Sequence, residues 1–359
     1  MNTQTSAVSA NMSAGLMSIV KKNAVPILFA ILSILSVVVA KMNPLFLVNE
    51  IITRLARNAF LVLALLIPVS AGLGLNFAIV VGAMAGQVAV IAITHWKIEG
   101  LLGFFLAMLG SVPLAVIMGY LVGQVMNRAK GREMITSMVL GFFANGIYQL
   151  VFLFLVGTVI PMKNRSMMLP DGVGIRNTVD LFGISRALDN LWRINVAGIR
   201  IPLASLLLVV LLCIALHYFM QTRLGQQMRA VGQDINIAAV AGINVDRTRV
   251  IAMILSTVLA AWGQLIFLQN ISTLNTYNSH EQVGTFAIAA LLVGGATARR
   301  ATIWQALLGV LLFHTLFVVS PSAGQAIIGI PQIGEYFRVF VAYGVIGVAL
   351  ALHAWQARE

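Results

Sequence analysis

The sequence predicts an all-α, polytopic membrane protein with about ten (eight to ten) transmembrane helices. Three observations carry this prediction. Apolar residues make up 60% of the chain and charged residues 9%, against roughly 25% charged in an ordinary soluble domain. Mean hydropathy is +0.95, too high to hide in a soluble core. Apolar stretches long enough to cross a bilayer recur along the whole chain; about 20 apolar helical residues span the hydrocarbon layer. Backbone groups in lipid must pair internally, which leaves helices or a closed barrel. Barrel strands alternate polar and apolar residues, and these stretches are continuously apolar, so helices are predicted.

The elements follow in order. Residues 1–23 are polar, Ser/Ala-rich and end near Lys21 and Lys22, and read as a cytoplasmic tail. Ala24 to Ala40 is the first span. A cleaved signal peptide is the rival reading, with a basic lead and a small-residue end; further spans follow and the topology needs this one, which favours an uncleaved helix. The next spans are Ala59 to Ser70, Leu75 to Thr94, Leu101 to Met126 and Met134 to Ile160. A polar interval, 161–200, reads as an extracytoplasmic segment. Then come Ile201 to Met220, Val250 to Leu268, Thr285 to Ala296, Ile303 to Val319 and Phe337 to Ala354. The second and eighth are short enough to be half-helices. Residues 24–356 thus read as a single transmembrane unit, with a cytoplasmic segment at 221–249.

Lys and Arg collect on cytoplasmic loops, so the net charge of +12 reads as topology and not as a nucleic-acid surface. With the N-terminus inside, the inner loops hold 12 basic residues and the outer segments 11, six of the latter in 161–200. Setting that long interval aside favours both termini inside. A weak internal echo, Asn76-Phe77-Ala78-Ile79 against Thr285-Phe286-Ala287-Ile288, suits two pseudo-repeated halves. The single cysteine, Cys213, excludes an intrachain disulfide and reads as a small buried hydrophobe.

The proposed spans contain no Asp, Glu, Lys or Arg except at their edges. Ion-coupled carriers need ionisable groups in the membrane, so a secondary carrier is disfavoured. His217, His314 and His353 lie in or near spans, and their scattered spacing reads as packing or interfacial. A membrane enzyme is disfavoured too, because no spaced His/Asp/Glu cluster appears. No phosphate-binding loop is present; none of the six lysines is followed by Ser or Thr. An ATPase, if one drives this protein, is a separate chain, and no cofactor is expected in this one.

The inner segment is where such a chain would dock. Gly232 breaks the preceding helix, Asp234 has the chemistry of an N-cap, Ile235 to Ala241 gives about two turns, and Gly242 suits a left-handed stop. Ile237, Val240 and Ala241 form a small apolar ridge. Such a helix either slots into a groove on a partner or lies on the membrane surface.

The stretch RAVGQDINIAAVAGINVDRTRVIAMILSTVLAAWGQ is similar to the cytoplasmic signature of permeases in the ribose, nucleoside and branched-chain amino-acid group of ATP-binding-cassette (ABC) importers. Arg229, Gly232, Ala238, Ala239, Gly242, Ile243 and Val245 match it. AGLGLNFAIVVGAMAGQVAV resembles that group's broken helix after the second span, and LLVGGATARRATIWQALLGVLL its Gly-Gly segment, in the same order. Two departures bear on the substrate: Asn76 stands where ribose-type members often carry an acid, and Gln264 interrupts a small-residue helix.

The resemblance implies a type II importer-like fold. It also implies two permease subunits (the same chain or a similar one), two ABC ATPase subunits that bind ATP and Mg, an extracytoplasmic binding protein, and the bacterial inner membrane. Coupling to the ATPase falls on Arg229, Gly232, Asp234, Ala238, Ala239 and Gly242. The amides Asn76, Gln87, Asn145, Gln149 and Gln264 are candidates for the translocation path, although each can equally bridge helices. Uncharged spans with amides suit a small neutral solute such as a sugar or nucleoside. A branched-chain amino acid, a passive channel or a secondary carrier are the alternatives. The arginines of 161–200 either meet acids on a docked binding protein or rest on lipid headgroups.

Overall fold

The computed structural model describes residues 23–356. The proposed tail, 1–23, lies outside them apart from Asn23. The helices are α1 (Ala24–Ala40), α2 (Pro44–Ala64), α3 (Leu66–Ser70), α4 (Ile79–His95), α5 (Gly100–Arg128), α6 (Glu133–Leu150), α7 (Leu203–Phe219), α8 (Arg223–Gln233), α9 (Ile235–Val240), α10 (Val245–Ile271), α11 (Ser279–Val293), α12 (Ile303–Ile328) and α13 (Pro331–Gln356). A π-turn, Val151–Leu155, extends α6. Four short strands accompany them: β1 (Thr178–Asp180), β2 (Arg193–Val196), β3 (Ile199–Pro202) and β4 (Thr273–Asn275).

Local signals set many of the helix ends. Asn43 accepts from the Leu45 amide at 2.9 Å, with Pro44 at the first helical position of α2. Asn244 accepts from the Arg247 amide at 3.0 Å to start α10. Thr302 and Gln305 form a reciprocal capping box at α12. Each satisfies backbone donors that a helix start leaves free.

Contacts between connections define two ends of the bundle. At one end Gly232 lies against Ser70 and Gly72, Lys130 pairs with Asp246 at 2.5 Å, and Gly295 lies against Pro26. At the other, β1 pairs antiparallel with β4, and the Arg200 amide donates to Asn49 at 2.6 Å. Among the described residues the apolar helical segments α1, α2–α3, α4, α5, α6, α7, α10, α11, α12 and α13 lead alternately from one end to the other. Five of them are long and apolar enough to cross a membrane on length and composition alone. Helices α7 and α8 meet at a bend of 77°, which turns α8 out of the crossing direction.

Helix α10 is central and packs on α5, α4 and α2. A Cβ on Gly82 or Gly86 would sit 2.5 Å from the Thr257 or Ala261 carbonyl oxygen of α10, so only glycine allows this approach. The Ser256 hydroxyl donates to the Ala64 carbonyl at 2.9 Å, and the Trp262 indole to Met108 at 3.1 Å. Helix α6, by contrast, leaves Ile135, Val139, Phe142, Phe143 and Ile147 exposed.

Three sequence readings change. The second span is not a short half-helix: it starts at Pro44 and, with α3, runs 27 residues. The apolar window opened late because Glu50, Arg54 and Arg57 interrupt the preceding turns. The crossings are therefore not free of charge, since α2 carries those three residues and α13 carries Glu335 and Arg338. The cations are tolerated because each has a polar or ring partner: Arg54 pairs with Glu50 at 3.3 Å, Arg57 donates to Asn270 Oδ1 at 3.1 Å and lies 5.5 Å over the Phe267 ring, and Arg338 pairs with Glu335 at 3.1 Å while lying 3.8 Å over the Phe317 ring. The eighth span starts earlier than Thr285, at Ser279, and stays short at 15 residues.

Candidate functional site: a polar node and an exposed capped helix

Two of the predicted amides meet at a residue the sequence reading passed over. His280, at the start of α11, is fully buried. Its Nδ1 lies 2.9 Å from Gln87 Oε1 of α4, and its Nε2 lies 2.9 Å from Asn145 Oδ1 of α6. The Asn145 amide nitrogen donates to the Glu281 carboxylate. The Tyr148 ring packs on the imidazole, with centroids 4.9 Å apart. Next to His280, Ser279 accepts from Gln264 Nε2 of α10 at 3.2 Å. The node therefore joins α4, α6, α10 and α11 through polar side chains alone.

The remaining amides stand apart. Asn76 is fully buried at the break between α3 and α4, and neither of its amide atoms is hydrogen-bonded. Gln149 is half-buried, one turn beyond Asn145. Within the node, Gln87 Nε2, Gln264 Oε1 and the Tyr148 hydroxyl are also buried without a hydrogen bond, and such groups are costly to leave unpaired. An apolar cleft of about 680 Å³ opens between α4, α5 and α6, with Met84, Val88, Met118, Phe143 and Tyr148 on its walls; none of the five amides lines it.

His280 was missed because it sits five residues ahead of the apolar window of the eighth span. A signal existed in the Ser279-His280-Glu281 run, which directly precedes a short span. Of the histidines considered from sequence, His314 is buried against the Phe313 and Phe317 rings, and His217 bonds Gln221 at 2.9 Å. Arg249 and Glu133 lie at the edges of the predicted spans. They form a buried pair at 2.6 Å that ties the start of α6 to α10.

The inner segment folds as two capped helices. Thr222 accepts from the Gly225 amide at 3.2 Å to start α8. Asp234 Oδ1 accepts from the Asn236 and Ile237 amides at 2.8 and 3.0 Å to start α9. Gly242 ends it with φ +82°, a left-handed conformation that favours glycine. Ala238 turns inward onto Val231 and Val245. A Cβ on Gly232 would sit 2.3 Å from the Ser70 carbonyl oxygen, so α8 abuts the break between α3 and α4 at its backbone. Arg229, Asp234, Ala239 and Gly242 are exposed. Ile237 and Val240 are 69% and 91% exposed, so the apolar ridge points away from the chain.

Several long apolar helices around a buried amide–imidazole node, with a protruding helix at one end, are the architecture of a multi-pass membrane protein. The chain belongs to the family described as "Branched-chain amino acid transport system / permease component", which matches residues 47–350. It is 25% identical over 339 residues to the D-allose transport system permease protein of Escherichia coli, covering 90% of each chain. It is 31% identical over 155 residues to a nucleoside ABC transporter permease protein of Lactococcus lactis, covering 43% of this chain and 47% of that one. A xylose transport system permease protein of Haemophilus influenzae is 28% identical over 155 residues, 43% of this chain and 38% of that one. The chain thus spans less than half the length of these last two relatives. No solved structure matches it.

Proposed function

We propose that this chain is the permease subunit of an ATP-driven importer in a bacterial inner membrane, moving a small neutral hydroxylated solute such as a sugar or nucleoside. The single observation that carries the reading is α9: a capped two-turn helix with an outward apolar ridge, following directly on α8, whose Gly232 abuts the α3–α4 break. A separate ATPase chain, holding ATP and Mg, seats this ridge in a groove. Its closure moves α9, and Gly232 passes the motion to the break beside Asn76. Coupling requires such an element, biased by both sites. Both termini, the 221–249 segment and the inner loops face the cytoplasm; 161–200 faces outward, where a binding protein delivers the solute. A second permease chain, identical or similar, completes the pathway.

The solute class follows from the relatives' named cargoes and from the node, whose amides bond hydroxyls without requiring charge. Gln87, Asn145 and Gln264 act at the node, and Asn76 and Gln149 lie further along the path. A secondary carrier is the competing reading, and His280 beside Glu281 is the observation that favours it. Uptake measured with the proton gradient collapsed and ATP held constant separates the two. The importer predicts unchanged uptake. Loss of uptake under that condition supports the carrier.

A further inference from the structure

At the outward end, Arg57, Arg186, Arg193 and Arg200 line one cavity of about 570 Å³. Two carboxylates share its wall against four arginines, and each already has its own partner. Glu50 pairs with Arg54, and Asp189 accepts from the Ser205 hydroxyl and from Asn270 at 2.5 Å. Among the described residues none of the four arginines forms an ion pair. Arg57 Nε is buried without a hydrogen bond. Guanidinium groups stay charged, so the cavity carries an excess of positive charge and fork-shaped donors suited to phosphate or carboxylate.

The β2–β3 hairpin indicates which anion. Its register pairs Arg193 with Pro202, Ile194 with Ile201, Asn195 with Arg200 and Val196 with Ile199. Successive side chains alternate faces, so Arg193, Asn195 and Arg200 share one face and Ile194, Val196, Ile199 and Ile201 the other. Ile194 and Val196 are exposed, as are Trp192 beside them and Leu45 and Phe46 on the cavity rim. Apolar surface left bare at the membrane end of a bundle belongs in the acyl region, with arginines and tryptophan at headgroup depth. An acidic protein arriving from water would neutralise the arginines and leave this apolar face uncovered.

We propose that this cavity holds the phosphate of an anionic phospholipid, with the acyl chains running past Leu45, Phe46 and the apolar face of the hairpin. The proposal is independent of which solute is carried. It is tested with the full-length protein in nanodiscs of phosphatidylethanolamine and phosphatidylglycerol in equal parts, with retained lipid counted by native mass spectrometry. Phosphatidylglycerol is expected to be retained over phosphatidylethanolamine. Retention should fall several-fold in Arg193→Gln/Arg200→Gln and in Ile194→Ser/Val196→Ser, and stay unchanged in Arg165→Gln. Equal retention of the two lipids overturns the proposal, as does full retention by the arginine variant. Binding of inorganic phosphate as tight as that of phosphatidylglycerol makes this a free-anion site and also overturns it. If the arginine variant keeps its lipid but loses capture of an acidic soluble protein, the face is a protein dock and the proposal falls.

Discussion

Residues 220–249, at one end of the bundle, fold into two short helices, each started by its own cap. Residues 161–202, at the other end, fold into single turns, the local β2–β3 hairpin and a strand, and distant partners hold much of them: β1 by β4, and the Tyr277 hydroxyl on the Ile175 carbonyl at 2.6 Å. Burial pushes the Tyr277 phenol up, so it remains a donor across the physiological range. The first segment is locally specified and leaves an apolar ridge exposed. The outer one is specified by the rest of the chain and closes over it. A part that must pass motion on needs its own rigidity and a free face, whereas a cover needs anchorage.

Perturbing the inner end at its buried pair should have the largest effect. Glu133→Ala leaves Arg249 as an uncompensated buried charge, at a cost of roughly 3–5 kcal/mol. A large drop in unfolding temperature in detergent is expected, and an unchanged one would show that the pair does not hold α6 to α10. Gly232→Val comes next. Its side chain meets the Ser70 carbonyl, so ATPase turnover should continue while solute-stimulated turnover is lost; preserved stimulation would remove Gly232 from the route of coupling.

Smaller effects should distinguish local from distant anchorage. Asp234→Ala removes the cap of α9, a change of about 1 kcal/mol. Hydrogen exchange should quicken across residues 235–241 and stay unchanged in 161–202. Tyr277→Phe removes one hydrogen bond, again about 1 kcal/mol. Exchange should there quicken around Ile175, far away in sequence. Changes confined to the neighbours of Tyr277 would contradict distant anchorage of the outer segment.

The same contrast explains what the sequence makes legible. Asp234 and Gly242 act within a few residues of themselves, so α9 reads directly from the chain. Most of the apolar helices read as well, because each is largely a run of apolar residues. The strands do not, since Thr178 pairs with Asn275 nearly a hundred positions away. The start of α2 was hidden because Glu50, Arg54 and Arg57 break its apolar run; the first two pair within the helix, and Arg57 depends on Asn270 from α10. His280 was hidden for a related reason. Its meaning comes from Gln87 and Asn145, which arrive from two other helices.

The central claim is that α9 is the seat of an ATPase. Ala239 is exposed beside the ridge. Ala239→Arg should leave the protein inserted, folded and as stable as before. Co-purification of the ATPase subunit with this variant is the direct measurement. The account predicts that the ATPase is lost; its recovery in unchanged amount would contradict the coupling role of α9.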